Sequence, residues 1–215
     1  MRKFWAIALI VCAGLAISVL IATRHRSAVA PNLAAQGLSY KETRTILNKK
    51  TGEKFIAAIS EYHGLASGQY LKRTVNYNRD GSQTVSYIYS IPDVGAFKHA
   101  EGATERQYVS PMRSLNDGVF NANGLRHSER YIRDDVFAGF PVIVQRQPTD
   151  DSDTIIEFWQ ATTLNGLVLK TVFDNAEASN VIEASDIVLG PQSEESVKVP
   201  DLPTSYVEYR AKTAR

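Results

Sequence analysis

The chain is poor in reactive groups. Cys12 is its only cysteine, so no intrachain disulfide can form and everything after it must hold together by core packing alone. Cys12 lies inside an apolar run, which removes cysteine nucleophiles from the rest of the chain. G-x-S-x-G, the Walker loop and G-x-G-x-x-G are all missing, and with them the common signatures of serine nucleophiles and phosphate cradles. His63, His99 and His127 are widely spaced, with no H-x-x-x-H or C-x-x-C pair, so sequence spacing offers no zinc site. Asp150, Asp151 and Asp153 lack the glycine and distal glutamate of a calcium loop. The neighbours Asp134-Asp135 and Glu194-Glu195 would point to opposite faces of an extended chain and could not share one substrate atom. An active site would have to be assembled from scattered groups such as His99, His127, Glu129 and Asp134. The expectation is no enzyme, no cofactor and no metal.

Charge of one sign is also lacking. The 215 residues carry a formal net charge of +1, with 44% hydrophobic and 22% charged residues, values of a globular chain. Arg2, Lys3, Arg24 and Arg26 stand in a first segment without acids, which leaves the remainder slightly acidic. Aromatic residues without a basic stripe do not read as a nucleic-acid surface.

What is present begins at the amino terminus. Phe4 to Ala22 carry no charge, and at about 1.5 Å per residue such a helix is roughly 28 Å long, against a hydrocarbon thickness near 30 Å. A cleaved signal has a shorter apolar core. Ala28-Val29-Ala30 has the small-x-small pattern of a cleavage site but precedes Pro31, whose ring suits a protease subsite poorly. Leu9-Ile10-Val11 do not resemble the small residues before a lipidated cysteine. The reading is a short cytoplasmic tail (1–3), a transmembrane signal-anchor (4–22) in the bilayer, a linker (23–36) and an extracytoplasmic, periplasmic domain (37–215). The α-amine with Arg2 and Lys3 outweighs Arg24 and Arg26, which places the amino terminus inside.

The domain reads as strands: β-branched and aromatic runs separated by Gly, Asn, Asp and Pro. Eight are expected, over Glu42 to Asn48, Lys54 to His63, Gln69 to Tyr77, Thr84 to Ile91, Phe140 to Gln147, Thr154 to Ala161, Leu167 to Phe173 and Val181 to Leu189. Around Asn78-Arg79-Asp80-Gly81-Ser82 the pattern predicts a hairpin. A two-residue loop would set Val75 against Ser86, whereas a three-residue loop with Gly81 left-handed sets Val75 against Val85 and Leu71 against Tyr89. Pro92 to Arg133 lacks alternation and is expected to hold one or two short helices. Gln192 to Arg215, marked by Pro200 and Pro203, reads as an extended strap. The fold class is α+β: a transmembrane helix followed by a curved antiparallel half-barrel with a few short helices.

Several segments resemble the LolA/LolB-like lipoprotein-carrier superfamily of bacteria. Phe137-Ala138-Gly139-Phe140-Pro141-Val142-Ile143-Val144 resembles the strand after its glycine corner, and Glu157-Phe158-Trp159 its aromatic-bearing strand. Leu164-Asn165-Gly166-Leu167-Val168-Leu169-Lys170 is similar to the following turn and strand, and Val188-Leu189-Gly190-Pro191 with Val199-Pro200 to the closing strand and tail. The resemblance implies an incomplete barrel with an apolar cavity for acyl chains; no functional residue carries over by motif. The expected function is non-catalytic binding of a hydrophobic or lipidated ligand by a membrane-anchored domain, with Tyr87, Tyr89, Phe158 and Trp159 lining the site. The alternative is a structural or regulatory partner of an envelope complex, bound by strand addition.

Overall fold

The computed structural model describes residues 32–91, 94–110, 120–151, 153–200 and 205–208. The expected tail 1–3, the membrane segment 4–22 and most of the linker lie outside the described residues. Among those described, no helix is long and apolar enough to cross a membrane.

Two antiparallel meanders meet in one sheet. The first runs β1 (Leu38–Asn48), β2 (Lys54–Gly64), β3 (Tyr70–Tyr77), β4 (Gln83–Ile91), β5 (Gly95–Ala100) and β6 (Glu105–Ser110). The short α1 (Ala122–Arg126) follows, and then β7 (Tyr131–Phe137), β8 (Phe140–Gln147), β9 (Ile155–Ala161), β10 (Leu167–Asp174) and β11 (Ala178–Leu189). β11 returns to lie against β1, Leu38 facing Leu189 and Asn48 facing Ala178. A last strand, β12 (Ser205–Glu208), pairs in parallel with β6. The spatial order is β12-β6-β5-β4-β3-β2-β1-β11-β10-β9-β8-β7. The architecture is therefore an open sheet, antiparallel but for one edge pair, with few helical residues.

The β3–β4 hairpin has the expected register: Val75 faces Val85 and Leu71 faces Tyr89. Asn78 N–H donates to the Ser82 carbonyl at 2.9 Å, closing the three-residue loop, and Gly81 has φ +83°. A glycine is the residue that takes that backbone without strain.

Three expectations are corrected. Pro92 to Arg133 contains two further strands, β5 and β6, and the start of β7, besides α1. Their alternation is hidden because their inward positions include a small and a polar residue: Ala96, Phe97 and His99 are buried while Lys98 is exposed. Strand β1 begins at Leu38, four residues earlier than expected, because Leu38 and Tyr40 are core residues. Leu33–Gln36, assigned to the linker, forms a 3-10 turn capped by Asn32, whose side chain accepts from Ala34 N–H, with Ala34 buried.

Two apolar clusters result. The larger joins Leu38, Tyr40, Tyr62 and Tyr70 with Val142, Val144, Trp159, Ala161, Leu164, Leu167 and Leu169. Within it Tyr40 stacks on Tyr62 (4.9 Å) and Tyr62 on Tyr70 (5.8 Å). The smaller gathers Leu71, Tyr87, Tyr89 and Phe97 under Val197 of the C-terminal strap. On β8 the consecutive residues Val142, Ile143, Val144 and Gln145 are all buried, so both faces of this strand are covered.

Candidate functional site

Side chains directly opposite on neighbouring antiparallel strands share a face. From β8 to β1 the register aligns Gln145, Phe158, Thr171, Ile182 and Arg44 in one cross-strand row. Two residues further along, Gln147, Ile156, Phe173, Asn180 and Ile46 form a second row on the same face. Phe158, Ile156, Ile182 and Ile46 are only half-buried, and Phe173 is exposed at 37%. The five apolar residues of this strip thus stay partly open, interspersed with the polar Gln145, Thr171, Arg44, Gln147 and Asn180.

At one end of the strip lies a cavity open to solvent, of about 480 Å³, lined by Phe120, Asn121, Gly124, Leu125, Arg130, Gln145 and Gln160. Its wall is α1. Asn121 caps that helix by accepting from Gly124 N–H at 2.8 Å, and Ser128 Oγ donates to the Leu125 carbonyl at 2.7 Å beyond its end. The β9–β10 turn fixes the wall's position. Phe120 N–H donates to Asn165 Oδ1 at 2.8 Å, and Gly166 lies under the Phe120 ring so closely that a Cβ there would sit 2.3 Å from Cδ2. Asn165 is left-handed (φ 52°), as is Gly166 (φ +80°), the conformations for which Asn and Gly are suited. The Asn165-Gly166 pair thus turns the chain and seats the aromatic wall of the cavity.

The floor is polar. Gln145 Nε2 donates to Gln160 Oε1, and Gln145 is buried. Among the described residues, Arg130 is the one charged group that lines the cavity; it is exposed and makes no ion pair with another described residue. Neighbouring Arg126 is engaged by Asp134 at 3.0 Å. Among the described residues no cluster of His, Cys, Asp or Glu could hold a metal ion. The arrangement offers a cationic and amide-lined mouth beside partly open apolar side chains.

The four residues expected to line the site are separated. Phe158 faces Gln145 and belongs to the open strip. Trp159, the next residue, points to the other side of the sheet, buried with Val142 and Val144 beneath the Lys170 ammonium, 5.3 Å above its ring. Tyr87 and Tyr89 lie in the smaller cluster with Phe97 and Val197, Tyr87 stacked on His99 at 5.0 Å and Tyr89 on Phe97 at 6.0 Å. Burial raises the Tyr89 pKa, partly offset by the Arg106 guanidinium. Sequence reasoning missed Gln145, Gln160 and Arg130. The signal for Gln145 was a glutamine directly after the aliphatic run Val142-Ile143-Val144.

No protein-family model and no curated protein matches the chain. Several solved structures are similar to it. The MucA/MucB complex of Pseudomonas aeruginosa matches at 13% identity and TM-score 0.33, over 78% of this chain and 58% of that one. The chain thus spans less than two thirds of that protein's length. A putative outer membrane lipoprotein-sorting protein domain from Vibrio parahaemolyticus matches at 15% identity and TM-score 0.33, over 76% and 89% of the two chains. A LolA superfamily protein from Nitrosomonas europaea matches at 10% and 0.31, over 78% and 92%.

Proposed function

We propose that this chain is a non-catalytic binding module for a hydrophobic or lipidated ligand, held at a membrane by residues 4–22 with its domain outside the cytoplasm. The sheet curls as a half-barrel around the apolar tail, and the tail lies along Phe158, Ile182, Ile156 and Phe173 while its polar end reaches Arg130, Gln145 and Gln160. The observation that carries this reading is the partly open apolar strip running into a cavity with an amide floor. Along β9, Gln160 to Ile156 covers roughly 14 Å at about 3.4 Å per residue, room for a chain of several methylenes. The anchor rests on the uncharged run and its basic flank.

Strand addition at β7 is the weaker reading, since that edge holds Arg133, Asp134 and Asp135 in solvent, and edge charges oppose pairing with another chain. The test is a fluorescent fatty acid titrated into residues 32–215, together with native mass spectrometry of the same domain exported from cells. Saturable probe binding that Phe158→Asp abolishes is the expected result. A domain that carries no lipid and binds no probe would refute the reading.

A further inference from the structure

The arginines near the cavity mouth are not equivalent. Arg126 Nε donates to both carboxylate oxygens of Asp134 at 3.0 and 3.1 Å, Arg133 reaches Asp135 at 3.2 Å, and Arg146 reaches Glu157 at 2.6 Å. Each of these carries its own counter-charge. Arg130, which makes no ion pair with another described residue, is the one of the four that lines the cavity. Its carbonyl accepts from Arg146 N–H at 2.8 Å, which ties it to β8 one residue beyond Gln145. Among the described residues that line the cavity none is acidic.

The uncharged lining adds donors. Asn121 spends its Oδ1 on the cap of α1, accepting from Gly124 N–H at 2.8 Å, and so keeps its NH2 to donate. Gln160 spends its Oε1 on the buried Gln145 and keeps its NH2 in the same way. Turning both glutamine amides over would move that NH2 to Gln145 without removing it. Phe120 and Leu125 supply the apolar part of the wall. A guanidinium beside amide N–H groups is matched by a carboxylate or a phosphate, whose oxygens accept several hydrogen bonds at once, whereas an ammonium offers these donors nothing. Because the mouth is open to solvent, water screens the charge, so the head sets selectivity while the tail supplies most of the affinity.

We propose that the cavity selects its ligand by the sign of the head: the molecule is an anionic amphiphile, with a carboxylate or phosphate against Arg130, Asn121 and Gln160 and its tail on the strip. This rests on the hydrophobic-ligand reading given above and adds the charge of the head to it.

The test uses the full-length chain in nanodiscs of zwitterionic lipid and dodecyl probes with a photoreactive diazirine in the tail. The heads are carboxylate, phosphate monoester, hydroxyl and trimethylammonium, and mass spectrometry reads the cross-links on β9 and β10. The two acidic heads should label these strands at about fivefold lower concentration than the hydroxyl head, and trimethylammonium should label them least. Arg130→Gln should bring the acidic probes down to the level of the hydroxyl probe, and Arg130→Glu should turn the order round in favour of trimethylammonium. Arg130 is exposed, so neither change disturbs the core. Inorganic phosphate at millimolar concentration should not displace the phosphate-headed probe; displacement would make this a site for free anions and overturn the amphiphile. Equal labelling by all heads, or an order that Arg130→Glu does not change, overturns the selection by charge and leaves the hydrophobic-ligand reading standing. Absence of labelling on β9 and β10 with every head overturns both.

Discussion

Gln145 and Phe158 face each other across β8 and β9, so a buried carboxamide and a half-exposed aromatic ring share one surface. Because successive strand residues alternate, Trp159 belongs to the other side, where it is buried. The pair therefore separates binding from stability. Phe158→Ser should abolish fatty-acid probe binding while lowering stability by only about 1 kcal/mol, the usual size for a partly exposed position. Trp159→Ala should cost about 3–5 kcal/mol as a buried aromatic truncation, with probe affinity preserved in whatever fraction stays folded. Denaturant titration and probe binding on the same two variants check this, and the opposite pattern would place the ligand on the Trp159 side.

Two glycines with left-handed backbones should respond differently to the same change. Gly81 has φ +83° with open space around an added Cβ, whereas Gly166 has φ +80° with the Phe120 ring in the way. Alanine at either position strains the backbone by about 1–3 kcal/mol. Only Gly166→Ala should also shift Phe120 and change the cavity, so it should weaken probe binding while Gly81→Ala leaves it intact. Equal binding by the two variants would show that Phe120 does not shape the site.

How far the sequence revealed this can be judged from particular residues. The β3–β4 register followed from matching Val75 with Val85, since a one-residue slip would set apolar against polar faces. Strand β5 escaped because His99 does not read as an inward residue until Tyr87 and Tyr89 are seen against it, and the small Ala96 belongs to the other cluster, with Tyr62 and Tyr70. The apolar face of Tyr87 and Tyr89 was legible as a face, but its cover, Val197, comes from a segment far along the chain. Local pattern cannot foretell such a long-range contact. The cavity was hidden for the same reason: Phe120 reaches it only through Asn165 and Gly166.

The uncharged run Phe4 to Ala22 should keep the mature protein in membranes through high-salt and alkaline carbonate washes. Amino-terminal sequencing should find the chain intact from its first residues. A mature chain starting at or after Pro31 would instead make the domain a released one, and the anchored reading would fall.

The tyrosine stack predicts a specific weakness at high pH. Burial pushes Tyr70 up to about 12 and raises Tyr62 and Tyr40 well above the usual phenol value, Tyr40 further through the nearby Glu42 carboxylate. The folded state thus keeps these protons where the unfolded chain, with phenols near 10, releases them. Stability changes with pH as the difference in bound protons between unfolded and native states, and here the native state binds more. The contribution is full below about pH 10 and is lost as pH rises through the folded values. Denaturant midpoints should accordingly fall steadily between pH 10 and 12, and phenolate absorbance of the buried tyrosines should appear together with unfolding rather than before it. Tyr62→Phe, which keeps the ring between Tyr40 and Tyr70, should flatten that decline. If Tyr62→Phe loses stability with the same slope as the unaltered chain, the alkaline transition belongs to other groups and the stack does not control it.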